Sequence, residues 1–215
     1  MTESRKWAVL LAGEVWPGAR LREQLAGARV VAADAGMRHA EALGVEPEVW
    51  IGDFDSAAEA QLARHAHVPR ITHPAEKDMT DGALAIAHAL EQGAEELLLI
   101  GALGGRMDHA MAHMLQLAGL AERGLRALAS SGREEAHGLA AGAHEISLPA
   151  GTTFSLIGFG PLEGVHIEGA KWPLRGERLA FASTRPISNV ALEPLRVRIG
   201  KGRGVLIAHP RPQEA

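Results

Sequence analysis

The sequence predicts an α/β fold in which an N-terminal Rossmann-like domain with a parallel sheet is followed by a C-terminal antiparallel β-sandwich domain. Four short apolar runs, "WAVLLAG", "RVVAADAG", "EVWIGDFDS" and "EELLLIGALGG", alternate with segments rich in Ala, Leu, Glu and Arg, a pattern typical of βαβ units. From about Ser131 onward, Gly-punctuated segments such as "TTFSLIGFG" and "GVHIEGAKWPL" indicate short antiparallel strands. We therefore expect two domains, residues 1–130 and residues 131–215.

Composition and charge argue against several classes of protein. With 215 residues, 47% of them hydrophobic, the chain has enough apolar material for a buried core. A formal net charge of -4 and scattered basic residues argue against a nucleic-acid binder. The absence of cysteine excludes disulfides and thiolate metal sites and favours a reducing compartment. No secretory leader is recognisable and no apolar run approaches the roughly 18 residues needed to cross a bilayer, so we expect a cytoplasmic protein with no membrane partner.

One helix is predicted from about Met79 to Gln92. Asp78 or Thr80 is suited to cap its N-terminus, and Gly93 is placed to end it. Apolar residues lie inside this segment, as expected for a helix that packs on a sheet.

A second helix is predicted after "GALGG", over "RMDHAMAHMLQLAGLAERG". Its methionines, Met107, Met111 and Met114, are expected to fill the core rather than to serve a cofactor. His109 and His113 lie four residues apart, a spacing that suits a metal. Helical histidines are more often exposed or packed, so a zinc site is the less favoured interpretation.

Acidic residues follow the predicted strands at the points where those strands end. In an open parallel sheet the carboxyl ends of the strands share one edge, and ligands bind there. Clustered carboxylates repel one another unless a cation neutralises them, and Mg²⁺ accepts one or two carboxylates together with substrate phosphates. The sequence therefore predicts a divalent-metal phosphate site at this edge. The acids concerned are Asp34, Asp53, Asp55, Asp78, Asp81 and Asp108.

Each motif also has a purely structural interpretation. Acidic residues and Ser or Thr in "GDFDS" and "KDMTD" are what turns and helix caps require. "GALGGR" is either a tight turn or a place where the backbone approaches a phosphate, with Arg106 supplying positive charge. It lacks the Gly-Lys-Ser/Thr ending of a Walker P-loop. The order of the three motifs along one predicted sheet edge favours a shared site over three unrelated turns.

Three N-terminal segments, "AADAGMRHAEALGVEPEVWIGDFDS", "EKDMTDGALAIAHAL" and "IGALGGRMDHAMAHM", closely resemble the motifs of thiamine pyrophosphokinases in order and spacing. "GVHIEGAKWPL", "STRPISNVAL" and "GVLIAHP" resemble the C-terminal β domain of that family, so the resemblance spans nearly the whole chain. It implies ATP-dependent transfer of pyrophosphate to the hydroxyl of thiamine, giving thiamine diphosphate and AMP, with Mg²⁺ as the metal. It also implies a homodimer in which thiamine lies between subunits.

The resemblance implies roles for individual residues. Asp53, Asp55 and Asp81 match the metal-binding acids of the family, and Asp34 matches an acid that lines the same site. Asp34 is thereby placed to orient a metal-bound water or the attacking hydroxyl. The positions that match the nucleotide-facing motifs are Lys77, Asp78, Thr80, Gly104, Gly105, Arg106 and Asp108.

Three further residues match the thiamine side of the family's site. Trp172 stands where the family has an aromatic residue, and its indole face suits a flat thiazolium cation. Ser188 and Asn189 form the "SN" pair, whose polar groups suit the edge of an aminopyrimidine. Without the resemblance, a Trp in a β domain is more readily interpreted as a core residue.

The sequence departs from the family pattern at two positions. Ala35 stands where the family often has Gly, and His113 stands where an Asn commonly follows the "GGRxDH" pattern.

Three alternative functions stay open. A diphosphokinase for another hydroxymethyl heterocycle such as a pterin is disfavoured by "KWPL" and "ISN". A non-catalytic nucleotide or thiamine sensor is disfavoured because all the metal acids are present. A metal-dependent phosphohydrolase is compatible with the acids alone.

Overall fold

The structure is a computed structural model and describes residues 4–55, 58–74 and 78–210. The chain divides into two compact units. The first contains Met1–Arg106 and Ala129–Gly132, and the second contains Met107–Leu128 and Arg133–Ala215. The helix predicted after Gly105 thus belongs to the second unit.

The first unit is built around a parallel sheet. Its strand order is β5-β1-β2-β3-β4, and the four predicted parallel strands are confirmed. Four of these strands are buried along nearly their whole length, because helices cover a parallel sheet on both faces. The elements are β1 Lys6–Leu10, α1 Ala19–Leu25, β2 Arg29–Ala33, a 3₁₀ helix Asp34–His39, α2 Ala40–Leu43, β3 Val49–Gly52, α3 Glu59–Arg64, β4 Arg70–Thr72, α4 Asp81–Glu91 and β5 Glu96–Ile100.

Helix α4 begins and ends close to its predicted bounds. Of the two predicted caps, Thr80 occupies the N-cap position, and its hydroxyl accepts a hydrogen bond from the Ala83 amide at 3.2 Å. Gln92 closes the helix, and Gly93 follows in a left-handed conformation with φ 83°. The helix packs against β1, β2 and β3, which fixes its N-terminal residue relative to the sheet.

Glycines allow the ends of β1 and β5 to approach closely. A Cβ on Gly13 would collide with the carbonyl oxygen of Gly101, and Gly36 lies equally tight against the carbonyl of Leu10. Any larger residue would push these segments apart. The loops beyond the strand ends are therefore held together by backbone contact.

The second unit combines one long helix with antiparallel strands. Strands β7, β13 and β9 form one set, while β8, β12, β10 and β11 form another, and β12 pairs with both sets. Both sets contribute to one hydrophobic core. Strand β6 lies across the division between the units. The elements are α5 Met107–Glu122, β6 Arg126–Ser130, β7 Glu135–Leu139, β8 Gly142–Ile146, β9 Thr153–Gly158, β10 Leu162–Ala170, β11 Leu174–Leu179, β12 Asn189–Ile199 and β13 Gly204–His209.

The helix predicted after Gly105 is confirmed as α5, but the expected burial of two of its methionines is wrong. Met107 is 75% exposed and Met111 is 50% exposed, whereas Met114 is buried. Helix α5 packs on β7 and β13 through the face that carries Met114 and Leu117. By helical periodicity Met107 and Met111 lie on the same side of α5 as Met114. Residues 107–109, 111 and 112 are exposed, and burial along the helix begins only at Met114.

No helix in the described part of the chain is both long and apolar enough to cross a membrane.

Candidate active site

The structure places three of the predicted acids at the ends of two neighbouring strands. Asp34 directly follows β2, and Asp53 and Asp55 directly follow β3. Because β2 and β3 are parallel neighbours, both turns leave the same edge of the sheet. A Cβ on Gly52, the last residue of β3, would lie 3.4 Å from the Asp34 Cα, so the end of β3 runs close beside Asp34. Asp34 and Asp53 are half-buried, and Asp55 is exposed.

Both turns contain a residue in an unusual backbone conformation. Asp34 has φ 43° and Phe54 has φ 63°, a region that costs a non-glycine residue about 1–2 kcal/mol. Such residues persist where the surroundings hold them, and they concentrate at functional sites. Between the acids, the Asp55 amide donates a hydrogen bond to Asp53 Oδ1 at 3.1 Å. This bond orients the Asp53 carboxylate.

The predicted acids and cap residues before α4 are also at this side of the first unit. Asp81 is half-buried in the first turn of α4, which packs on β2 and β3, the strands that the other acids follow. Thr80 uses its hydroxyl as the helix cap, and Asp78 is exposed. The prediction for Lys77 falls outside the residues that the structure describes.

The glycine loop after β5 presents accessible backbone. Gly104 and Gly105 are both exposed and left-handed, with φ 76° and 68°. No atom would lie within 4 Å of a Cβ on Gly105, so a ligand can approach the backbone there. Arg106, which follows, is exposed. Glu14 lies beside this loop, since its Oε2 would be 3.5 Å from a Cβ on Gly104.

In the second unit, Asp108 is exposed in the first turn of α5. Its Oδ1 accepts a hydrogen bond from the His109 amide at 3.0 Å. Burial lowers the pKa of His113, whose Nδ1 lies 3.0 Å from Gln116 Oε1. Within the described ranges, no three or more His, Asp or Glu side chains are grouped as they would be around a metal.

Trp172 and Asn189 are brought together in the second unit. Trp172 is 54% exposed, which excludes the core interpretation of this residue. Asn189 is 4% exposed, and its side chain binds the Trp172 backbone at both ends: Oδ1 accepts from the Trp172 amide at 3.1 Å, and Nδ2 donates to the Trp172 carbonyl at 2.8 Å. Oδ1 also accepts from the Val190 amide at 2.8 Å. Asn189 therefore fixes the loop that presents the indole.

Ser188 and Lys171 flank this pair. Ser188 is exposed and left-handed with φ 59°, and its amide donates to Ser155 Oγ at 3.1 Å. The Lys171 ammonium lies 4.7 Å from the centre of the Trp172 ring. The indole thus already contacts a cation of its own chain.

Comparison with protein families matches both parts of the chain. A model described as thiamin pyrophosphokinase, catalytic domain, matches residues 24–128, and one described as thiamin pyrophosphokinase, vitamin B1 binding domain, matches residues 143–206. The chain belongs to the thiamine pyrophosphokinase family. The resemblance seen in the sequence motifs is confirmed. The catalytic model covers the acids and the glycine loop, and the vitamin B1 model covers Trp172, Ser188 and Asn189.

Individual relatives agree with the family models. The chain is 28% identical over 170 residues to a thiamine pyrophosphokinase from Bacillus subtilis, covering 76% of this chain and 78% of the relative. A crystal structure of the Bacillus subtilis protein has the same fold, with a TM-score of 0.84 at 23% identity over 95% of this chain and 99% of the other. A Candida albicans thiamin pyrophosphokinase structure has a TM-score of 0.76 at 16% identity, covering 96% and 90% of the two chains.

The structure of this thiamine pyrophosphokinase family member also shows residues that the sequence motifs did not single out. The Arg38 guanidinium donates to the carbonyl of Ala12, and His39 Nε2 donates to the Gly13 carbonyl at 2.9 Å. Burial, together with the neighbouring Arg38 charge, lowers the pKa of His39. These two side chains hold the turn after β1. Both residues lie in the segment "AADAGMRHA", which belongs to the first motif that resembles the family, and this was the one indication of their importance in the sequence.

Proposed function

We propose that this protein transfers a pyrophosphoryl group from ATP to the hydroxyl of thiamine, giving thiamine diphosphate and AMP. Family membership supports this reaction, because the models for the catalytic part and for the vitamin B1 part both match. The single structural observation that carries it is that Asp34 and the Asp53–Asp55 pair follow the ends of two neighbouring parallel strands and so share one edge of the sheet.

Transfer of a phosphoryl-type group depends on alignment and on neutralisation of charge more than on covalent chemistry by the protein. Asp53, Asp55 and Asp81 would hold Mg²⁺, which supplies that neutralisation when bound. The donor chemistry supports this ion: Asp53 and Asp55 carry hard carboxylate oxygens at the end of β3, and Mg²⁺ needs only one or two carboxylates besides phosphate oxygens. Asp34 is the acid that would orient the thiamine hydroxyl.

The nucleotide is proposed to lie against the glycine loop and the segment before α4. The exposed left-handed backbone of Gly104 and Gly105 supports a role in phosphate binding, and Arg106 adds positive charge. Lys77, Asp78, Thr80 and Asp108 belong to the same proposal through the family motifs.

The thiamine side is proposed to involve Trp172, Ser188 and Asn189. The exposed indole supports a stacking role towards the thiazolium ring, and the buried amide of Asn189 supports a role in holding that indole. We further propose a catalytic domain over residues 1–130, a thiamine-binding domain over 131–215, a cytoplasmic homodimer, and active sites shared between its subunits.

Product analysis tests the reaction. Purified protein is incubated with Mg²⁺, ATP and thiamine, and the nucleotide and thiamine products are resolved. AMP together with thiamine diphosphate, each dependent on metal and on thiamine, is the expected result. ATP loss without thiamine phosphorylation would contradict the proposal and indicate a hydrolase or another acceptor such as a hydroxymethylpterin. Binding of both substrates without turnover would contradict it in favour of a sensor.

A further inference from the structure

We infer that Trp50 is a positioning residue that holds Asp34 and the Asp53–Asp55 turn through one buried side chain. Trp50 lies in the middle of β3 and is 1% exposed. It does not follow a strand end, so the sequence motifs gave it no role. The inference rests on the proposed function only where it assigns the positioned acids to a metal site.

The first contact fixes the backbone of Asp34. Trp50 Nε1 donates a hydrogen bond to the Asp34 carbonyl oxygen at 2.9 Å. Leaving a buried indole N–H without an acceptor costs free energy, and here the acceptor is the carbonyl of a residue held at φ 43°. The bond therefore favours the unusual conformation from which the Asp34 side chain leaves the sheet edge.

The second contact fixes the turn between Asp53 and Asp55. The Phe54 ring packs edge-on against the Trp50 indole, with centroids 5.0 Å apart and planes at 83°. Phe54 is the residue between the two acids, and it has φ 63°. Anchoring its ring on the indole fixes the backbone on either side, and hence the starting points of both carboxylates.

One indole contacts both turns. In the described part of the first unit, Asp34 and Phe54 are the two non-glycine residues with positive φ, and both contact the same indole. Arg70 packs against both rings: its guanidinium carbon lies 5.6 Å from the centre of the Trp50 ring and 5.7 Å from the centre of the Phe54 ring. The strained conformations of two separate turns thus depend on one side chain.

The test compares Trp50→Phe with a matched control, Trp7→Phe. Trp7 is a fully buried Trp of the same unit, and its Nε1 has no hydrogen-bond partner among the described residues. Both substitutions remove similar volume, but only Trp50→Phe removes a hydrogen bond to an acid-bearing turn. The first measurement is amide hydrogen exchange over residues 30–40 and 50–55. The second is binding of Mn²⁺ alone by calorimetry.

Trp50→Phe is expected to accelerate exchange in both segments by about threefold to tenfold, the equivalent of one ordinary hydrogen bond, and to weaken Mn²⁺ binding by a similar factor. Trp7→Phe removes similar buried volume but no hydrogen bond to either turn, so it should accelerate exchange in the two segments and weaken Mn²⁺ binding less than Trp50→Phe does. Unchanged exchange in either segment of Trp50→Phe would overturn the inference, as would equal acceleration by the two variants.

A second variant keeps the inference testable if Trp50→Phe does not fold. Phe54→Leu removes the ring contact while leaving the buried Trp in place, and it should accelerate exchange over residues 50–55 more than over residues 30–40. Equal effects on the two segments would overturn the proposed division of contacts. If the parent protein binds no Mn²⁺ and makes no thiamine diphosphate, the proposed function fails, whereas the exchange measurements still decide the role of Trp50.

Discussion

Replacing Asn189 by Ala should impair the use of thiamine without changing the use of ATP. The change removes an amide that makes three hydrogen bonds, two to the Trp172 backbone and one to the Val190 amide. The residue is 4% exposed, so water does not reach it in the parent protein. Without these bonds, the loop that presents the Trp172 indole loses its fixed position.

The magnitude follows from the three bonds. An intramolecular hydrogen bond contributes roughly 0.5–1.5 kcal/mol net, so the gross loss is about 1.5–4.5 kcal/mol. Water can replace the bonds on the exposed Trp172 side, which leaves an expected loss of about 2 kcal/mol in the free energy of unfolding. A loosened indole should raise the KM for thiamine about tenfold, equivalent to about 1.4 kcal/mol.

The assay combines urea unfolding with steady-state kinetics, in which thiamine and ATP are varied separately. Thr152→Val is the matched control, because Thr152 is 1% exposed in the same unit and its Oγ1 has no hydrogen-bond partner among the described residues. It removes a buried polar atom without removing a bond, and both KM values should stay unchanged. The reasoning would be refuted if Asn189→Ala lost stability yet kept its KM for thiamine, or if both KM values rose equally.

Three other substitutions test the site. Asp55→Asn should lower Mg²⁺-dependent turnover by about 100-fold or more if it removes one of the proposed metal carboxylates, while the melting temperature changes little since Asp55 is exposed. Near-normal turnover would contradict its role. Trp172→Ala should lower kcat/KM for thiamine by about tenfold or more, measured beside the KM for ATP, because the cation loses an aromatic face. Equal losses for both substrates would favour a structural role. Mixed Asp53→Asn and Trp172→Ala chains should recover activity if subunits share sites, and no recovery despite proven subunit exchange would argue against sharing.

The elements that the sequence predicted well are those that a local pattern specifies. The strands of the first unit are continuous apolar runs because both faces of the sheet are covered, and acids placed directly after them must lie at the sheet edge. The helix cap was narrowed to Asp78 or Thr80, since a side-chain oxygen before an apolar helical segment satisfies a free amide, and the structure selects Thr80.

The features that the sequence did not predict depend on packing between segments that are far apart in the chain. Met107 and Met111 were expected in the core and share a side of α5 with the buried Met114, but the sequence does not say that the packed part of the helix begins only at Met114. The bond between Trp50 and Asp34 requires the register of β2 against β3, which no local pattern contains. The buried position of Asn189 likewise depends on the return of the chain to the Trp172 loop.

The Lys171 ammonium near the Trp172 ring has a consequence for selectivity. If thiamine stacks on this face of the indole as proposed, its cationic ring would replace a cation already there, and only the difference between the two attractions would contribute to binding. A neutral ring of the same shape would have to displace the ammonium without offering a charge in return. The loop would then select against uncharged analogues by making them compete with a residue of the protein itself.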